Sequence, residues 1–110
     1  MLNQIILVGR LVKNPDLKEI ENGKKVAKIT LAVPRSYKNV DGEYETDFIE
    51  CTLWSGVSST VEYCKKDDII GVKGRIQSNI YEKDNEKKYF IEIIAEKVTF
   101  LSSNRKNEAE

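Results

Sequence analysis

Strict alternation of apolar and polar side chains, carried through several long segments, most limits the folds open to this chain. Between residues 47 and 54, Ile49, Cys51 and Leu53 fall on one side of a strand, while Phe48, Glu50, Thr52 and Trp54 fall on the other. Residues 69–81 repeat the pattern, with Ile70, Val72, Gly74, Ile76 and Ile80 opposed to Lys73, Arg75, Gln77, Asn79 and Tyr81. Successive side chains of a strand point to opposite faces, so in each segment one set lines a core and the other meets solvent. The period is that of strands, and it predicts an all-β domain.

The other segments fit the same scheme. Residues 3–12 are rich in branched side chains and stop at Lys13-Asn14-Pro15-Asp16, where proline cannot extend a ladder. Asn22-Gly23 suits the positive backbone angles of a type I′ turn, joining residues 17–21 to a returning strand over 24–33. Pro34 closes that strand, and residues 35–46 read as a long polar connection. After Trp54, the capping-box pattern Ser59-Thr60-Val61-Glu62 predicts a helix of about two turns. The last two strands cover 69–81 and 88–101, joined by a solvated loop over 82–87. Five strands with one short helix between strands three and four match a five-stranded, partly open OB-fold barrel. Residues 1–101 are assigned to this domain and 102–110 to a short polar, disordered tail.

At 110 residues the chain has room for one core without disulfide staples. It contains no histidine, and its two cysteines, Cys51 and Cys64, form no CxxC pair. Histidine-based triads are excluded and a zinc site has nothing to build on, so no catalysis, metal or other cofactor is expected. Both thiols suit a core, and Asp67-Asp68 reads as a solvated turn rather than a catalytic pair. The longest apolar run, Ile5 to Val8, is far short of a membrane span, so no membrane partner and a cytoplasmic location are expected.

Eighteen Lys and Arg balance eighteen Asp and Glu, which excludes a uniformly basic domain. The balance is uneven, however: residues 1–40 hold 8 basic and 3 acidic groups, and residues 41–70 hold 2 and 8. A local positive field is therefore available. Phe48 and Trp54 take the side of their strand away from the core, and Tyr81 lies among Lys73 and Arg75. Lys28 shares a face with Thr30, and Arg35, Tyr37 and Lys38 follow in the adjoining loop. Rings stack on exposed bases and cations meet phosphates, so this interleaving suits an unpaired nucleic-acid strand. Duplex hides its base faces, and no helix suited to reading a groove is predicted. The same aromatic face also fits a protein-interaction module of the accessory primosome kind. Tyr37 alone reads as a loop anchor, and Tyr63, Tyr89, Phe90 and Phe100 as ordinary packing.

The run Asn3-Gln4-Ile5-Ile6-Leu7-Val8-Gly9-Arg10-Leu11, then Pro15-Asp16, Asn22-Gly23 and Val26-Ala27-Lys28-Ile29-Thr30-Leu31-Ala32, resembles the bacterial single-stranded DNA-binding protein (SSB) family. The likeness continues through Asp47-Phe48-Ile49-Glu50-Cys51-Thr52-Leu53-Trp54 and Val72-Lys73-Gly74-Arg75-Ile76. It implies an OB fold, a homotetramer and sequence-independent binding of single-stranded DNA in replication, recombination or repair. The family's base-stacking aromatics fall on Tyr37, Phe48, Trp54 and Tyr81, and its phosphate contacts on Lys38, Lys65 and Lys66. Lys28, Arg35, Lys73 and Arg75 join them from the strand faces and the loop. The chain departs from the family where a run that is often basic reads Gln77-Ser78-Asn79-Ile80, and where Tyr or Phe replaces the common Trp, so a lower affinity is expected. It ends on Asn107-Glu108-Ala109-Glu110 without the family's acidic tip, which resembles a short paralogue in which recruitment of other proteins through the tail is not expected.

Overall fold

The computed structural model describes residues 1–103; of the tail expected over 102–110, Ser102 ends the last strand and residues 104–110 lie outside the described residues. Its strands are β1 (Ile5–Leu11), β2 (Asp16–Glu19), β3 (Lys25–Lys38), β4 (Tyr44–Trp54), β5 (Ile69–Lys83) and β6 (Glu86–Ser102). They lie in the order β1-β5-β6-β4-β3-β2, and a short β1–β3 ladder closes the five long strands into a barrel. Four-residue β2 only flanks β3. The ladders are antiparallel except between β4 and β6, where Cys51 faces Ile93 and Thr52 faces Ile94 in parallel register. This is the OB-type barrel that the alternation predicts.

The core is built from the inward sets. Leu11, Ala27, Ile29, Leu31, Cys51, Leu53, Ile70 and Val72 are all but inaccessible, with Val61 and Cys64 sealing one end from the β4–β5 connection. Both cysteines are buried thiols, and burial pushes the Cys51 thiol up to about 11, so it stays un-ionised. Where β5 crosses close to β6, only glycine fits at position 74: a Cβ there would overlap the Ile94 carbonyl. Among the described residues no helix is long and apolar enough to cross a membrane.

Five local expectations are corrected. The helix after Trp54 is a single 3-10 turn, Ser58–Val61. The Ser59 and Thr60 hydroxyls donate back to the carbonyls of Gly56 and Val57 instead of capping the turn, and Asp67, at φ 76°, turns the chain towards β5. Asp68, read as solvated, is fully buried, and its Oδ2 accepts the Lys65 N–H at 2.9 Å. Pro34 does not end β3: the strand runs on to Lys38, with Pro34 opposite Thr46 beside a register shift, a place where a missing N–H is tolerated. The connection expected over 35–46 is therefore mostly a projecting hairpin closed at Asn39–Glu43, where the Asn39 side chain accepts the N–H groups of Asp41 and Glu43. The 82–87 loop likewise shrinks to two residues, Asp84 (φ 52°) and Asn85 (φ 64°), the same left-handed pair that Asn22 and Gly23 supply.

Candidate nucleic-acid interface

The register decides which side chains share the outer side of the barrel. On β4, Phe48, Glu50, Thr52 and Trp54 face outward opposite Ala32, Thr30, Lys28 and Val26 of β3. Phe48 is 67% exposed and Trp54 44%, while Cys51 and Leu53 between them are fully buried. Small Ala32 leaves the Phe48 ring uncovered.

A chain of hydrogen bonds carries this outer side across to β6 and β5. Thr52 Oγ1 donates to Glu92 Oε2 at 2.8 Å, and Glu92 Oε1 accepts Asn79 Nδ2 at 2.9 Å. Asn79 Oδ1 accepts Gln77 Nε2 at 2.9 Å, and Gln77 Oε1 accepts Arg75 Nη1 at 2.8 Å. Thr52 is almost fully buried beneath these contacts. The run Gln77-Ser78-Asn79-Ile80 thus spends its amides on a side-chain ladder along β5. Tyr81, next on this side, is 50% exposed and pairs with Lys88.

Tyr37 is 65% exposed on the β3–β4 hairpin, and the neighbouring Lys38 ammonium lies 5.7 Å from the Tyr44 ring centroid. The exposed ring of Tyr44 gave no sequence signal, because its segment read as loop. Arg35 knits this hairpin: its Nη2 donates to Asp47 Oδ1 at 2.9 Å, its Nε reaches both Asp47 oxygens at 3.2 Å, and its Nη1 meets Glu45. The hydrogen bond to Asp47, with the attraction of that carboxylate, raises the Arg35 pKa further, and the same bond holds Asp47 below the usual carboxylate range. Lys28 stands 3.7 Å from Glu50, an exposed and weak pairing. Lys73 is exposed opposite Ile6. Lys65 and Lys66 are exposed in the turn before β5, where the Lys66 N–H donates to Asn14 Oδ1 at 2.8 Å.

The structure therefore brings Phe48, Trp54, Lys28, Arg75 and Tyr81 onto one connected outer side, with Tyr37 and Lys38 on an adjoining arm. All four of the packing expectations fail. Tyr63 (85% exposed) and Phe100 are uncovered, and so are Tyr89 and Phe90 on β6. Among the described residues no cluster of Cys, Asp and Glu is arranged to hold a metal ion.

Comparison with known proteins follows the same lines. Residues 2–101 match the single-strand binding protein family, which is defined by binding and not by catalysis. The chain is 44% identical to single-stranded DNA-binding protein B of Bacillus subtilis, over 99% of this chain and 98% of that one. It is 48% identical to the single-stranded DNA-binding protein of Bacillus cereus, over 92% of this chain but only 61% of the relative. A crystal structure of a deletion mutant of the single-stranded DNA binding protein from Thermus aquaticus superposes with a TM-score of 0.79 at 25% identity, covering 94% of this chain and 52% of that one. Matched from residue 2 to 101 and similar to a relative that it spans almost end to end, the chain belongs to the single-strand binding protein family.

Proposed function

We propose that this chain binds single-stranded DNA without regard to sequence and shields it, in support of replication, recombination or repair. The observation that carries this reading is the outer side itself, where Phe48, Trp54 and Tyr81 stand exposed on strands whose inward residues are buried. Bases stack on these rings and on Tyr37, each stacked base contributing about 1–3 kcal/mol. Phosphates meet Lys28, Lys38, Lys65, Lys66, Lys73 and Arg75. Arg35, already neutralised by Asp47 and Glu45, contributes chiefly by holding the arm that carries Tyr37. The names of the relatives favour this reading over a protein-interaction module.

The working unit is a homotetramer in the cytoplasm, gathered on the DNA it covers. Support comes from β1: Ile6 and Val8 are exposed, Leu101 lies beside them, and β1 pairs with β3 only through Arg10 and Leu11. An open strand edge bordered by apolar side chains suits a second copy.

Trp54 is the sole tryptophan, so its fluorescence reports on the face directly. Titration with oligo-dT is expected to quench it strongly at low salt and less at high salt, because phosphate contacts release counterions, while duplex leaves it unchanged. Binding of oligo-dT with no change at Trp54 would move the stacking face elsewhere, and no binding at either salt would overturn the function.

A further inference from the structure

Phe90 is none of the four stacking positions named above, yet its surroundings are those of the stacking face. On β6 it sits two residues from Glu92, and so on the same side of the strand. The Glu92 carboxylate is fixed to Thr52 of β4 and to Asn79 of β5, which places that side of β6 on the same outer surface as Trp54. Asn79 is the cross-strand partner of Phe90, and Lys88 is the partner of Tyr81, so Phe90 and Tyr81 stand diagonally across the hairpin. Diagonal positions lie about 7–8 Å apart, close enough for two rings to take neighbouring bases of one strand. Both rings are half exposed.

The polar setting also favours a base. Around Phe90 the Gln77, Asn79 and Glu92 groups are already engaged with one another, and Lys88 supplies a charge beyond them. The more apolar side of the same hairpin, where Ile80, Tyr89 and Ile91 stand with Ser78, faces the other way. A flat ring set among polar groups beside a cation matches a nucleobase with its phosphate better than an apolar protein surface.

We infer that Phe90 is a further base-stacking platform, extending the strand's path beyond Tyr81 towards Lys88. The inference rests on the single-strand reading proposed above.

The test uses the full chain carrying Trp54→Phe with Phe90→Trp, which keeps both rings and moves the sole indole to position 90. Oligo-dT binding is followed by anisotropy of a labelled oligonucleotide and, in parallel, by indole fluorescence. Quenching that saturates with the anisotropy supports the platform. Anisotropy showing binding while the indole signal stays flat overturns it and leaves the single-strand reading intact. Absence of any anisotropy change with the unaltered chain overturns both. Separately, Phe90→Ala is expected to weaken binding roughly tenfold and Phe90→Tyr to restore it, while Tyr89→Ala, on the opposite side of the same strand, leaves affinity unchanged. Equal losses from Phe90→Ala and Tyr89→Ala would mean that the hairpin's shape matters and not stacking at Phe90.

Discussion

Two hairpins leave this barrel, and they are held by different chemistry. The β3–β4 arm is fastened by charge, with the Arg35 guanidinium clasped between Asp47 and Glu45 and Lys38 resting over Tyr44. The β5–β6 arm is fastened by a largely neutral ladder of amides, Arg75 to Gln77 to Asn79, anchored through Glu92 to Thr52 in the barrel wall. Exposed ion pairs are screened by salt and answer to pH, whereas hydrogen bonds anchored on a buried hydroxyl depend on shape. The first arm is therefore expected to loosen with conditions, and the second to hold its aromatics in fixed places under the ionic changes that accompany DNA binding.

The sharpest way to break this contrast is Glu92→Ala. It removes the acceptor of two hydrogen bonds and leaves the buried Thr52 hydroxyl and the Asn79 amide unsatisfied. A loss of about 1.5–3 kcal/mol is expected, read as a lower urea midpoint at constant m-value. Thr52→Val, which replaces the hydroxyl by a methyl of similar shape, should cost less, about 1 kcal/mol. Both losses should be nearly the same at low and high salt. A loss that disappears at high salt would mean that the ladder is electrostatic after all, and that the two arms differ only in residue type.

The hairpins also mark the boundary of what the sequence makes legible. Alternation identifies sides, and it did so correctly through the barrel: Cys51 and Leu53 are in, Phe48 and Trp54 are out. It is silent on whether a side is covered. Ile76 and Ile80 continue the inward set of β5, yet both are exposed: Ile76 pairs with Ile93 at the last rung where β6 still meets β4, and beyond it the strand runs out of the barrel with no core beneath Ile80. The packing expected of Phe90 fails for the same reason, since whether its ring is covered depends on which strands lie opposite. Turn chemistry was legible at Asn22-Gly23, where one residue is glycine, and missed at Asp84-Asn85, where two L-residues adopt the same positive angles. The extension of β3 was hidden by Pro34, because a lost donor matters only where the ladder would have used it.

A smaller effect is expected from Arg35→Gln. The guanidinium and its partners are substantially exposed, so global stability should move less than with Glu92→Ala, and the difference should shrink as salt rises. Amide exchange should quicken across residues 34–46 and stay unchanged in the β5–β6 arm. Equal quickening in both arms would show that they open together and that the contrast drawn between them is mistaken.

The gentlest probe leaves the sequence alone and changes pH. Arg35 holds the Asp47 carboxyl below its ordinary value of 3.8 in the folded chain, so the unfolded state binds the proton more readily. The contribution of this pair is therefore full above that value and is lost as pH falls further, through the depressed folded value. Between neutral pH and about pH 5 the β3–β4 arm should keep its amide protection, and below about pH 4 it should begin to open. Arg35 stays charged throughout, its own pKa being raised by the same carboxylate, so Asp47 is the partner that titrates within the pair. In the Arg35→Gln chain that acid response at residues 34–46 should be largely absent. If it persists unchanged, the charge clasp is not what holds the arm, and the Asn39 turn at its tip becomes the stronger candidate.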